Sequence, residues 1–150
     1  MALKARIKDE MKAALLSGDR FVGETLRNLT AAILDEEVKL GKRDEGLSDE
    51  EIEKVVAREV KKRNESAKIY RDNNRPDLAE PEEREIEIMQ AYLPKQLDET
   101  ELAAIIEAKI AELSVTGPQA MGQVIGAVKK QVGNAADGAA IARIVKQKLN

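Results

Sequence analysis

The stretch Leu93-Pro94-Lys95-Gln96-Leu97 interrupts an otherwise helical pattern and divides the chain. Pro94 has no backbone N–H, and its ring pushes Leu93 out of the α region. Helical signals resume on both sides. The reading is therefore an N-terminal helical subdomain over residues 1–93 and a small C-terminal one over residues 94–150. Downstream, Asp98 and Glu101 have capping-box spacing and open a helix with Leu102, Ile105, Ile106 and Ile110 on its apolar face. A Thr116-Gly117-Pro118 turn leads to a second helix. Asp137 caps a third, which carries Ile141, Ile144, Val145 and Leu149.

Upstream, four longer helices are expected. Leu3, Ile7, Met11, Ala14 and Leu15 recur at helical spacing until Gly18. Asp19 caps a helix whose face is Val22, Leu26, Leu29 and Ile33. A charged loop, Gly41 to Gly46, follows. Ser48 with Glu51 then opens a helix towards Arg71, with a thin stripe of Ile52, Val55, Val56 and Val60. Asn73-Asn74-Arg75-Pro76 ends it. Glu80-Pro81 predicts the next start, because proline suits the first helical position, and Ile86, Ile88, Met89 and Tyr92 form its inner side. No alternating run of strand length competes. The fold class is all-α: long N-terminal helices, then a three-helix bundle.

Composition excludes much chemistry. The chain lacks histidine and cysteine, which removes disulfides, thiol catalysis, the usual zinc ligands and imidazole acid–base work. Only Phe21, Tyr70 and Tyr92 are aromatic, so the core must be aliphatic. The many carboxylates, such as Asp49 to Glu51 and Glu82 to Glu87, have no apolar context that would raise a pKa. Ser17 and Ser66 lack a base; Lys62 or Lys68 beside Ser66 is what a charged helix gives by chance. The expectation is no active site, no metal and no cofactor. Lys4, Arg6, Lys8 and Lys12 break any apolar leader, and no run is long enough for a membrane span. With cysteine absent, a cytoplasmic protein is expected.

Charge is unevenly spread. Residues 35–90 sum to −6 and residues 117–150 to +4, in a chain of net −3. The basic tail holds Lys129, Lys130, Arg143, Lys146 and Lys148 against the single anion Asp137, so it suits an anionic partner. Lys61, Lys62 and Arg63 form a second basic feature, but Glu59 and Glu65 interleave with it and a solvated ion-paired helix explains it as well. Gly122 and Gly126 share a helix face, and close packing of a neighbouring helix is their favoured use. Gly133 with Ala136-Asp137-Gly138 matches no phosphate-loop spacing; a helix-stop glycine, an N-cap and a turn at Gly138 account for it.

Taken in order, Thr25-Leu26-Arg27-x-Leu29, Lys61-Lys62-Arg63-x-Glu65-Ser66, Leu93-Pro94-Lys95-Gln96-Leu97, Met121-Gly122-x-Val124-x-Gly126 and Ala136-Asp137-Gly138 resemble the YqeY family over essentially the whole chain. The family's C-terminal half is similar to the tail domain of GatB, the B subunit of the glutamine-dependent tRNA amidotransferase, which is thought to hold the tRNA body. The family is grouped through that domain with carbon–nitrogen ligases that use glutamine as amido donor. The resemblance implies tRNA as partner, with amidotransferase or aminoacyl-tRNA synthetase proteins beside it. It marks Gly122, Gly126, Lys129, Lys130, Arg143 and Lys146 as the tail-domain candidates. Ala120 and Gln123 stand where the family often has an acidic residue and a lysine. The expected function is a non-catalytic accessory module that binds tRNA. The alternative is a helical protein–protein adaptor that binds no nucleic acid.

Overall fold

The computed structural model describes residues 2–150 and is helical, with no strand among them. Seven α-helices follow in order: α1 (Ala2–Leu16), α2 (Arg20–Lys39), α3 (Asp49–Asp72), α4 (Pro76–Gln90), α5 (Glu99–Leu113), α6 (Met121–Val132) and α7 (Gly138–Leu149), with single 3₁₀ turns at Pro118–Ala120 and Gly133–Ala135. The chain forms two compact units, the first ending at Leu93 and the second running Pro94–Asn150.

In the first unit, α1 and α2 form one antiparallel hairpin, α3 and α4 another, and α2 packs on both α3 and α4. Local chemistry sets the helix ends. Asp19 accepts from the Val22 amide at 3.3 Å. Ser48 and Glu51 satisfy each other's backbone amides, at 3.2 and 2.8 Å. Asp49 reaches across to the Leu3 amide at 3.1 Å, so the start of α3 caps the start of α1. The core is Ile7, Leu26, Leu29, Ile33, Ile52, Val55, Val56, Val60, Ile86, Met89 and Tyr92, closed by Leu47 from the α2–α3 loop.

The predicted start of α4 at Glu80-Pro81 is corrected. The helix begins at Pro76, and Pro81 lies inside it. Pro76 occupies the first helical position, and the added turn buries Ala79 completely. Pro81 sits so near the start that the bond it cannot donate is the one to the exposed Asp77 carbonyl, which water can satisfy.

In the second unit α5, α6 and α7 all contact one another. They enclose Leu102, Ile106, Ala120, Val124, Val128, Ile141, Ile144, Val145 and Leu149. The segment before α5 is fastened down: the Leu97 amide donates to the Ala135 carbonyl at 2.8 Å, and Gln96 Nε2 donates to the Asn134 carbonyl at 3.0 Å. The Asp98–Glu101 capping box is formed in both directions.

Candidate nucleic-acid interface

α6 is amphipathic about Val124 and Val128, both fully buried. At 100° per residue these positions turn Gly122 and Gly126 to the opposite side. Both glycines are exposed, and a Cβ built on either meets nothing within 4 Å. The expected close packing through these glycines is therefore corrected: no helix rests on them, because the core claims the other side of α6. Lys129 and Lys130 continue the same outer side into the last turn. There α6 leaves its backbone open at two glycines one turn apart, followed in the next turn by two ammonium groups. Gly133 follows with φ +55°, a left-handed conformation that lets the chain reverse towards α7.

The hairpin geometry brings Lys129 to the start of α7. A Cβ on Gly138 would lie 3.4 Å from Lys129 Cε and 3.5 Å from its Nζ. Asp137 caps α7 by accepting from the Ala139 amide at 3.3 Å. A carboxylate thus already occupies that helix N-terminus, where an anion would otherwise be favoured.

The remaining basic candidates divide by their partners. Arg143 pairs with Glu99 at 2.5 Å, and Lys148 pairs with Glu107, so both tie α7 to α5. Among the described residues Lys129, Lys130 and Lys146 make no ion pair. Lys146 lies eight residues beyond Gly138, about 12 Å along α7 at 1.5 Å per residue, so it stands at the other end of the hairpin from Lys129. The five C-terminal cations do not form one patch.

In the first unit Lys61 is exposed and makes no ion pair among the described residues. Lys62 pairs with Glu59 at 3.3 Å. Arg63 is only 12% exposed and bridges Glu59 at 3.1 Å and Glu85 at 2.6 Å. Its guanidinium joins α3 to α4 and is committed there. Sequence reasoning missed the two acids that matter to this unit's interior. Glu37 is 1% exposed and paired with Lys4 at 2.6 Å, and Glu59 is 9% exposed. The signal was positional, since each falls on its helix's apolar stripe: Glu37 four residues after Ile33, Glu59 three after Val56.

Among the described residues no cluster of acidic side chains could hold a metal ion, and no helix is long and apolar enough to cross a membrane. The perturbed groups serve structure. Glu10 is held below the usual carboxylate range by the Tyr92 hydroxyl, which donates to it, and by Arg6. Tyr92 is raised by burial and by the same contact. Burial raises Glu82, with Glu85 adding to it.

Two helical units, the smaller with bare helix backbone beside unpaired lysines, define a small helical protein of two parts. The chain belongs to the YqeY family: the description "Yqey-like protein" matches residues 4–149. Among curated proteins it is similar to "Altered inheritance of mitochondria protein 41, mitochondrial" of Eremothecium gossypii, 34% identical over 115 residues, covering 75% of this chain and 61% of the relative. The same-named protein of Lachancea thermotolerans is 30% identical over 116 residues, 76% of this chain and 61% of the relative. That of Kluyveromyces lactis is 27% identical over 127 residues, 80% of this chain and 68% of the relative. The chain thus spans about three fifths of the first two relatives' length. These names correct the expected cytoplasmic location: the relatives are named as mitochondrial proteins, and absence of cysteine carries no address that could outweigh that.

Proposed function

We propose that the chain is an accessory binding module whose C-terminal unit grips the phosphate backbone of tRNA on the outer side of α6. The supporting observation is the pairing of Gly122 and Gly126, open to solvent, with Lys129 and Lys130, which make no ion pair among the described residues. Each helix-interior glycine costs about 1 kcal/mol against alanine. No internal contact repays that cost here. A glycine-bared helix lets a sugar–phosphate strand approach its backbone closely, and the two ammonium groups one turn on supply charge without any base-specific donor. Such a grip is sequence-independent and strongly salt-sensitive.

The amidotransferase connection is part of the same proposal: the module would present or retain tRNA for a partner that performs amide transfer. Arg143, Lys148 and Arg63 are left out of the grip because each is held by a carboxylate. The relatives' name speaks of mitochondrial inheritance and states no ligand.

The test is a titration of bulk tRNA at several salt concentrations with the full chain and with Lys129→Gln/Lys130→Gln. The proposal expects the slope of log K against log salt to become shallower by about 2 in the double variant. No binding at low salt, or an unchanged slope, overturns it.

A further inference from the structure

The outer flank of the α1–α2 hairpin carries an apolar ridge that the core does not use. Leu34 is 43% exposed and Val38 59% exposed, and Ala31 is exposed beside them. With Arg27 they recur at i, i+4, i+7 and i+11 on α2, so they form one row over three turns. Three contacts fix where α1 lies: Thr30 Oγ1 to Met11 Sδ at 3.9 Å, Lys4 to Glu37 at 2.6 Å, and Gly23 against Leu15. All lie on the side of α2 next to this row. On α1, Lys4, Met11 and Leu15 face α2, and Lys8 and Lys12 come next around the helix, away from the core. The antiparallel register sets Lys8 opposite Leu34, and Lys12 between Arg27 and Ala31. Lys8, Lys12 and Arg27 are exposed and make no ion pair among the described residues.

We propose that this flank is a docking site for an acidic amphipathic helix of a partner protein. The shallow channel between two antiparallel helices accepts a third helix, in the manner of helix-in-groove recognition. The partner's apolar side chains rest on Leu34 and Val38, and its carboxylates reach Lys8, Lys12 and Arg27. Charge complementarity chooses this occupant: Lys8, Lys12 and Arg27 line the ridge on its α1 side and at its end with no ion pair among the described residues. They are three cations against the single acid Asp35 on the far side of the row, where Glu24 is held by Arg20. Glu37 and Glu10, towards the core, are engaged by Lys4 and by Arg6 and Tyr92. A nucleic-acid backbone would find the cations but have no use for Leu34 and Val38. The site lies in the first unit and stands independently of the tRNA proposal for the second.

The experiment selects binders from a displayed library of helical peptides of about 18 residues, five turns at 3.6 residues each, against the full-length chain. Enriched peptides are expected to carry Leu, Ile or Val at helical spacing flanked by Asp and Glu. Leu34→Asp/Val38→Asp is expected to weaken an enriched peptide at least about tenfold. Lys8→Glu/Lys12→Glu/Arg27→Glu is expected to turn the selection towards Lys- and Arg-flanked peptides. All five sites are exposed, and retained helical circular dichroism verifies each variant's fold. The proposal is overturned by peptides indifferent to the charge reversal or by no enrichment at all. It is also overturned by a doubled solution mass that Leu34→Asp/Val38→Asp abolishes, which would make the occupant a second copy. Binding of phosphatidylserine vesicles lost in that variant would make it a membrane and would equally sink it.

Discussion

Arg63 and Glu85 meet at 2.6 Å across the α3–α4 interface, where Arg63 is only 12% and Glu85 24% exposed. The same guanidinium holds Glu59, a nearly buried acid on its own helix, and donates to the Glu59 carbonyl. Arg63→Met keeps the aliphatic stem but leaves two carboxylates facing an apolar terminus. Lys62 remains to screen Glu59 in part, so the loss is about 2 kcal/mol, below the full cost of orphaning a buried ion. Urea denaturation reads it as a lower midpoint. The salt slope for tRNA stays at the parent value, because this cation is structural.

Gly122→Ala and Gly126→Ala are expected to stabilise the protein, each by about 0.5–1 kcal/mol. Alanine restores helix propensity, and its Cβ enters open space at both positions. The Tm of either variant therefore rises. Had the glycines been packing sites, the same changes would have lowered it. On the tRNA proposal these stabilised variants bind more weakly, so a gain in Tm with a loss of affinity separates functional use of the glycines from mere tolerance.

The contrast between Gly122 and Gly23 shows what the sequence could and could not tell. Helix number, most caps and nearly every core position were legible, because aliphatic spacing and Asp or Ser caps act within one or two turns. The Gly122/Gly126 pair shares one helix face, but spacing does not say whether that face meets a neighbour; Val124 and Val128 win the core side. Gly23 carries no motif, yet it makes the close approach. Leu47 was hidden in a charged loop and closes the core. Glu80-Pro81 reads as a helix start because Pro76 closes a run of breaker residues. The basic tail was visible as charge, but Arg143 and Lys148 find their carboxylates on α5, more than forty residues earlier in the case of Glu99 and Arg143, a pairing only the fold supplies.

Gly23→Ala is accordingly expected to destabilise. A Cβ there would lie 2.5 Å from Leu15 Cδ2 and 2.8 Å from its Cγ, with the Leu15 amide nitrogen behind them at 3.4 Å. Rotation about χ2 turns the outer methyl of Leu15 aside, but clearing its Cγ takes a change of χ1 within a packed interface or a shift of α1. The gain in helix propensity offsets part of that strain, and a net loss of about 1–2 kcal/mol follows from overpacking. Leu15→Ala should relieve it. A double-mutant cycle over Gly23 and Leu15 by thermal unfolding would then show coupling of favourable sign, whereas additive losses would place the strain elsewhere.

Acid stability turns on Glu51. Its carboxyl is pushed down to about 2 from an ordinary 4.5, first by Lys42, whose ammonium lies 2.5 Å away, and then by the Ser48 amide in the capping box. A depressed folded pKa means that the unfolded chain takes up the proton first. The contribution is then complete above about pH 4.5 and drains away as the pH falls towards 2. The pair is partly exposed and screened by solvent, so the effect is a tilt in the stability curve rather than an abrupt collapse. Glu51→Gln keeps an acceptor for the Ser48 amide and removes the titration. Its Tm is expected to lie below the parent's at pH 7, with the gap narrowing below about pH 4.5 and closing only as the pH falls through about 2. Parallel curves across that window would mean that Lys42 and Glu51 are not held together in solution.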